Sequence, residues 1–386
     1  MNIVVVGGGF GGVRAALELS KRHVDKVTLI SDEDYFLHHA TLYATATGKS
    51  VAESVIPLKA IFAHHRNVHV VQDKMTSLDP QRRLVITNKK QYHYDKLVIA
   101  IGSVTTYFNI NGMAEHCYGI KSLDEICKFQ DHIQKEVIDN QLDKEYFVIG
   151  AGPTGVELAG ALNQYLKELI MMHRIKYSKA RVTLVEAAPR ILPRSSKTAD
   201  KYVARHLKKL GIKVMVNHKV GALDDNKIII DGKEIPTKTA VWTSGVANNT
   251  FFKSNEHHFH LAPNGRVNVS PYLEAMPHVY VIGDNNTVKY SGMAWPALYQ
   301  GEYVAKDIAR VITKRHRHPF RPHSVMSGVP VGDDWAYVEW LGLFVKGRFG
   351  AQVRRWMELY GYCKILPFSA AVKVWRAHDI AQIDTD

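Results

Sequence analysis

Two short strings in this chain carry glycine at the spacing that brings a backbone against a pyrophosphate: Gly7-x-Gly9-x-x-Gly12 and Gly150-x-Gly152-x-x-Gly155. In each, the first glycine makes a tight turn out of a strand. The second lets the main chain approach the phosphates, and the third lets the following helix pack close to the strand. The helix N-terminus then offers free N–H groups and the positive end of its dipole. A lone copy of this pattern is weak, so its context decides. The first copy follows the apolar run 3–6 and leads into residues 13–22, where Ala15, Ala16, Leu17 and Leu19 form an apolar stripe. The second, Gly150-Ala-Gly-Pro-Thr-Gly-Val-Glu-Leu-Ala-Gly160, follows the apolar run 146–149 and leads into a long helical segment, 156–172. Both read as dinucleotide sites, with Phe10 and Gly11 in the first turn and Pro153 and Thr154 in the second.

Such a site places a ribose-binding group at the end of its next strand. For the first loop that position is Ser31, with Asp32 beside it as the nearest acid; Asp32 reads equally well as part of a solvated acidic turn, 32–34. For the second it is Glu186, at the end of the strand 182–186. A carboxylate there accepts hydrogen bonds from a ribose 2′-hydroxyl and repels a 2′-phosphate, so NADH is favoured over NADPH; Arg190 nearby is the one opposing feature. Two loops mean two dinucleotides. Nicotinamide cofactors come and go as substrates, whereas FAD stays bound and carries electrons. Asp284, just past the apolar run 279–282, can reach ribityl hydroxyls near the first loop.

The elements that position these residues follow a repeated grammar. A strand, a glycine loop, a helix and a second strand occur twice, over 1–30 and again over 146–185. Residues 94–101 form another buried strand ending at Gly102, and 122–141 a charged helix. A helix is expected over 297–312, and then a basic linker with two prolines, 313–322. Three cysteines, Cys117, Cys127 and Cys363, lack the spacing of a disulfide framework or a zinc site. His38-His39 and His64-His65 also lack metal-ligand spacing and read as surface or loop histidines; no metal is expected. No signal peptide is read, and no apolar run approaches the ~18–20 residues of a membrane span. The net charge of +13 favours anionic partners.

With these motifs in place, the chain resembles the two-dinucleotide-binding flavoproteins, and in detail the type II NADH dehydrogenases, single-subunit NADH:quinone oxidoreductases. The strings that carry the resemblance are Val4-Val-Val-Gly-Gly-Gly-Phe-Gly-Gly12, Tyr94-Asp-Lys-Leu-Val-Ile-Ala-Ile-Gly102, Thr183-Leu-Val-Glu-Ala-Ala-Pro-Arg-Ile-Leu-Pro193, Val241-Trp-Thr-Ser-Gly-Val246 and Val279-Tyr-Val-Ile-Gly-Asp284. The resemblance spans residues 1–312. It implies an α/β fold of two Rossmann-like domains, with a discontinuous FAD domain (1–112 and 257–325) that holds FAD tightly but non-covalently, and an inserted NADH domain (113–256). It also implies Met75, Ala100 and Gly102 at the FAD, Ser244 and Gly245 at the NADH, a tolerated Ser31, and Glu157 near the flavin, relaying protons to reduced quinone. Read from the residues alone, Glu157 serves equally as an acid at a helix N-terminus.

One departure matters. The family's quinone-side motif, Ala-Gln-x-Ala-x-Gln, reads Ala294-Trp-Pro-Ala297-Leu-Tyr-Gln300 here. Trp295 and Tyr299 replace the glutamines, and Gln300 lies one step round the helix. The aromatics either pack the far side of the flavin or wall a slot for a flat quinone. The tail 326–386 is read as a third unit. Within 335–376, Lys346, Arg348, Arg354, Arg355, Lys364, Lys373 and Arg376 interleave with tryptophan, phenylalanine and leucine, as in amphipathic helices on anionic lipid. The expectation is a non-electrogenic NADH:quinone oxidoreductase of the respiratory chain, peripheral on the cytoplasmic face of the cell membrane, homodimeric, and without nucleic acid. Two alternatives stay open: sulfide:quinone oxidoreductase, and a non-respiratory flavoprotein switch resembling apoptosis-inducing-factor relatives.

Overall fold

The computed structural model describes residues 1–22, 24–139, 141–142, 144–175 and 180–379. The strands that matter for the site are β1 (Asn2–Val6), β2 (Lys26–Ser31), β3 (Val68–Gln72), β4 (Lys96–Ile99), β5 (Glu145–Ile149), β6 (Arg181–Glu186), β7 (Lys213–Val216), β8 (Ala240–Trp242), β9 (Glu274–Met276), β10 (Val279–Val281), β11 (Ser327–Pro330), β12 (Ala336–Trp340) and β13 (Leu343–Gly347). The main helices are α1 (Phe10–Ser20), α2 (Leu123–Ile138), α3 (Pro153–Met172), α4 (Lys197–Lys209), α5 (Ala294–Ile312), α6 (Arg348–Cys363) and α7 (Phe368–Arg376).

β1 and β4 after their first residues, and β10 throughout, are apolar runs because helices or loops cover both faces of the sheet they enter. That sheet has the order β9-β10-β4-β1-β2-β3, parallel except for the β9–β10 edge. The second sheet, β7-β6-β5-β8, is wholly parallel. The chain leaves the first sheet after β4, builds the second, and returns at β9. Its outgoing and returning segments, Ser103–Thr105 and Val246–Asn248, pair antiparallel. In each sheet the glycine loop follows a central strand, β1 or β5, where helices cross to opposite faces. This is the crevice in which open α/β sheets bind ligands. α2 begins with a capping box: the Glu125 N–H donates to Ser122 Oγ, and the Ser122 N–H donates to Glu125 Oε2.

The tail is more than the expected helices. β11, β12 and β13 form an antiparallel sheet, and α6 follows it directly. Val329, Val331 and Tyr337 join the core around α3, while Tyr362, Ile365, Leu366 and Ala371 join the core under the first sheet. Nor are all the tail's cations on its surface. Arg354 is buried and pairs with Glu358 at 2.8 Å. Arg355 pairs with Glu358 at 2.6 Å, lies over the Trp375 ring and donates to the Trp375 carbonyl. Arg354 can be buried and Arg355 half-buried because each guanidinium meets a carboxylate and a backbone carbonyl, so both are internal ties. Residues 313–326 have no regular structure yet are docked: Arg317 pairs with Asp307 at 2.5 Å and Glu274 at 3.0 Å, and the Phe320 N–H donates to the Pro271 carbonyl. No helix among the described residues is long and apolar enough to cross a membrane.

Candidate active site

The first glycine loop joins β1 to α1. Its tightness is visible at Gly12, where a Cβ would lie 2.0 Å from the Gly7 carbonyl oxygen. Gly9 is the N-cap of α1 and no side chain caps the helix, so its first N–H groups face the open space beyond Gly9. Of the two ribose-side residues, Ser31 is buried against Gly8 and Asp32 is exposed. Ala100 and Gly102 border the same cleft on the β4 side. Met75 instead packs in the core beneath it with Val6, Ile30 and Ile99. Asp284 is fixed from the side: Ser103 Oγ donates to its Oδ2 at 2.8 Å, and Lys121 Nζ donates to the Ser103 carbonyl at 2.6 Å. Burial lowers the Lys121 pKa against the pull of Asp284 and Glu125. Asn285 is fully buried and exchanges hydrogen bonds with Gly102, at 3.0 Å as acceptor and 2.7 Å as donor.

The second loop repeats this geometry. A Cβ on Gly155 would lie 1.8 Å from the Gly150 carbonyl oxygen, Gly152 faces open space, and α3 starts at Pro153 without a capping side chain. Pro153 and Thr154 are exposed at its mouth. Glu186 ends β6 as expected, and its carboxylate accepts the Ala151 N–H at 2.7 Å and the Ala188 N–H at 2.8 Å. Those bonds fix the charge beside the glycine loop. Arg190 is turned away into its own loop, donating to the carbonyls of Pro193, Ser195 and Ser196. Ser244 lies against Gly150. Gly245 lies under the exposed ring of Phe108, whose edge would be 2.5 Å from a Cβ there.

Between the two loops lies a buried polar group of residues. Glu157, one turn into α3, is 7% exposed; burial pushes its carboxyl up to about 8, reinforced by Glu358 and opposed by Arg354. His38 is buried rather than on the surface: its ring lies tilted against Tyr362, 4.6 Å between centroids, and its Nδ1 meets Thr41 Oγ1 at 3.1 Å. Burial, with Arg354 nearby, holds its imidazole down at about 3, so it is neutral. On α5, Trp295 stacks on Tyr360 of α6 at 5.1 Å and approaches Tyr299 at 6.1 Å. Ala294 opens the helix, and Ala297 packs against Gly11 and Gly283. Gln300, which the sequence places by the acceptor slot, is fully buried elsewhere. Its Oε1 accepts the Gly283 N–H and an Asn286 N–H, both at 2.8 Å, so it holds the turn that carries Asp284. The reason is helical phase: one residue beyond Tyr299 is about 100° round the helix, on the face toward the sheet.

The pattern of the pyridine nucleotide-disulphide oxidoreductases matches residues 1–301. The type II NADH:quinone oxidoreductase Ndh of Mycobacterium tuberculosis is 31% identical over 348 residues, which cover 83% of this chain and 75% of that protein. The chain belongs to the type II NADH:quinone oxidoreductase family. The type II NADH:quinone oxidoreductase of Staphylococcus haemolyticus is 28% identical over 334 residues, covering 80% of this chain and 82% of that one. Among solved structures, NDH2 from Plasmodium falciparum in complex with NADH matches with a TM-score of 0.88 at 18% identity, covering 98% of this chain and 97% of the other. The sulfide:quinone oxidoreductase from Aquifex aeolicus matches with a TM-score of 0.80 at 19% identity, covering 98% and 91%. At such identities these two likenesses speak to the fold alone.

Membership implies a flavin. The first cleft of this type II oxidoreductase fits one on its own geometry: the uncapped α1 N-terminus and the open space beyond Gly9 and Gly102. Sequence reasoning missed Ser103, Lys121, Asn285 and Phe108. Asn285 was findable as the neighbour of Asp284; the others belong to no motif and converge only through the fold. The cysteines of this type II oxidoreductase do not resemble a sulfur relay. Cys117 donates to the Ala240 carbonyl at 3.1 Å and burial raises its thiol pKa, while sulfur chemistry needs a thiolate. Cys127 is exposed on α2.

Proposed function

We propose that this chain oxidises NADH at the second glycine loop, holds FAD non-covalently at the first, and delivers the electron pair to a quinone without pumping protons. The observation that carries the reading is the pair of uncapped helix N-termini, each behind a glycine loop at the carboxyl edge of a parallel sheet. We assign residues 1–112 and 257–325 to FAD, 113–256 to NADH and 326–386 to the membrane-side unit. Bound flavin supplies the hydride-accepting and electron-donating chemistry. The protein's residues do the rest. Amides at Gly9–Gly12, including Phe10 and Gly11, receive the FAD pyrophosphate; Ser31 meets the ribose, and Ala100 and Gly102 leave room beside it. Ser103 and Lys121 aim Asp284 at the ribityl hydroxyls. Gly152, Pro153, Thr154 and Gly155 receive the NADH phosphates. Glu186 accepts from its ribose, and Ser244 and Gly245 floor its nicotinamide half. Glu157, protonated at neutral pH, holds the proton that a reduced acceptor requires. Ala294, Trp295, Ala297 and Tyr299 wall the acceptor side with apolar surface, which suits a flat ring.

A membrane-surface position, on the cytoplasmic face, accounts for the exposed apolar residues of the tail. Leu341 and Leu343 are 69% and 76% exposed at the β12–β13 turn, and Phe349, Trp356 and Tyr360 are exposed on α6. Leu341 also adopts a φ of 50°, a conformation uncommon for any residue other than glycine. A homodimer would cover part of this surface, which mass measurement in solution tests. The deciding experiment is anaerobic mixing of the yellow holoprotein with NADH, then with a short-chain quinone, following flavin absorbance. Bleaching by NADH and rapid recovery with quinone are expected. Bleaching without recovery would leave a flavoprotein switch as the better account, and acid release of FMN instead of FAD would overturn the cofactor.

A further inference from the structure

The basic stretch 313–323 contributes none of the residues named above at the FAD, the NADH or the acceptor, yet the fold pins it in place. Arg317 ties it to Asp307 and Glu274, the Tyr303 hydroxyl donates to the His318 carbonyl at 2.6 Å, and Phe320 packs edge-on against Tyr303 at 5.2 Å. Between this stretch and α5 the structure leaves a groove of ≈ 580 Å³ whose wall includes Lys306, Arg310, His318, Phe320, Arg321 and His323. The one carboxylate on that wall, Glu302, is already neutralised by Arg14 at 2.8 Å and Lys306 at 2.6 Å. Arg310 and Arg321 make no ion pair among the described residues. The groove is therefore cationic, and its wall is also aromatic, with Tyr299, Tyr303 and Phe320. It is also continuous with the apolar tail. His323 meets Tyr299 at 5.7 Å, Tyr299 meets Trp295 at 6.1 Å, and Trp295 stacks on Tyr360, which shares a face of α6 with exposed Trp356 and Phe349.

We propose that this groove binds the headgroup of an anionic phospholipid, with Arg310 and Arg321 on the phosphate and Phe320 and Tyr299 against the glycerol and first acyl carbons. The proposal rests on the membrane-surface reading above and adds a specific site to it. It places the lipid beside the acceptor slot at Trp295 and Tyr299, so that docking would align that slot with the bilayer. Arginine suits the role because its planar fork meets phosphate oxygens two at a time.

The test uses the full-length holoprotein and the double variant Arg310→Gln/Arg321→Gln, neither residue belonging to the redox machinery. Sedimentation with phosphatidylcholine vesicles, with and without phosphatidylglycerol, reads the partition. The variant should lose roughly tenfold to thirtyfold of its partition onto phosphatidylglycerol vesicles, as expected for two cations near an anionic surface. Its binding to phosphatidylcholine, its flavin content and its flavin reduction by NADH should stay at parental levels. Phe349→Ser/Trp356→Ser should weaken binding to both vesicles. Equal binding of the arginine variant and the parent to phosphatidylglycerol vesicles would overturn the groove while leaving the membrane reading intact. A second arm titrates monomeric short-chain phosphatidylglycerol by NMR. Binding there by the parent, absent in the variant, supports the groove even if the parent ignores vesicles, in which case the membrane reading alone fails. Displacement of that lipid by equimolar inorganic phosphate would make this a free-anion site and overturn the proposal.

Discussion

At the scale of single residues, two carboxylates carry separable predictions. Glu186 is held by the Ala151 and Ala188 amides beside the second loop, and Arg190 is occupied by loop carbonyls. Glu186→Gln should therefore erode the preference for NADH over NADPH by about 1–2 kcal/mol, the worth of one charge-assisted hydrogen bond. Arg190→Ala should leave that preference where it is. The ratio of kcat/KM for the two nucleotides reads both, and a larger effect of Arg190 would mean that the arginine sets the specificity. Glu157 predicts a pH profile. Its carboxyl keeps its proton up to about pH 8 in the folded chain, but only through the ordinary carboxylate range when unfolded. The folded state thus binds the extra proton between those limits, and stability falls as pH rises from about 4.5 to about 8. Glu157→Gln should flatten that part of the Tm–pH curve. It should also slow reoxidation by quinone and remove its decline above about pH 8, while leaving reduction by NADH unchanged. A parental decline that persists in the variant would assign the titration to another group.

At the scale of elements, the site depends on how closely α1 and α5 cross. A Cβ on Gly301 would lie 2.4 Å from the Gly11 carbonyl oxygen and 3.0 Å from the Ala15 nitrogen. α5 in turn carries Gln300, which holds the Gly283 turn, and the aromatic pair Trp295 and Tyr299. Gly301→Val should push the two helices apart at a cost of about 1–3 kcal/mol, as overpacking does. The visible result should be a lower Tm together with weakened flavin retention, because the α1 N-terminus and Asp284 shift relative to each other. Full flavin content at a lowered Tm would show that the crossing serves stability only. The same dependence explains how Gln300 escapes a motif reading: its neighbour Tyr299 faces the groove, and a single helical step separates an acceptor-side residue from a buried tie.

At the scale of the whole molecule, the tail is a structural part of the cores beside both parallel sheets. Gly160 of α3 admits the backbone at Val331 and Gly332, and the Tyr362 hydroxyl donates to the Glu53 carbonyl at 2.7 Å. A chain ending at Pro330 should therefore unfold at lower temperature and lose flavin, since it exposes Leu42 and Val156 on one side and Phe36 and Ile56 on the other. Thermal melts of the truncated chain, followed by flavin fluorescence, check this. Retention of parental Tm would make the tail an appendage. For membrane binding, Arg354 and Arg355 drop out of the cation count, leaving Lys346, Arg348, Lys364, Lys373 and Arg376. Binding to anionic vesicles should accordingly survive high salt in large part, carried by Leu341, Leu343, Phe349 and Trp356; complete release by salt would point to electrostatics alone.

The sequence alone determined the two glycine loops, the strand-end positions of Ser31, Glu186 and Asp284, and the repeated strand–loop–helix order. These are local: a turn that needs glycine, a run that needs burial and a helix that must start behind them lie within a few residues of one another. Only the tertiary structure decided which residues from distant segments share a site. Ser103 bonds Asp284 and is itself held by Lys121, Phe108 covers Gly245, and Arg354 of the tail lies near Glu157 of α3. It also decided which charges are internal, burying Arg354 and His38 and tying down a half-buried Arg355. Those placements depend on carboxylates, carbonyls and rings brought from elsewhere in the chain, and no spacing in the linear sequence records that company.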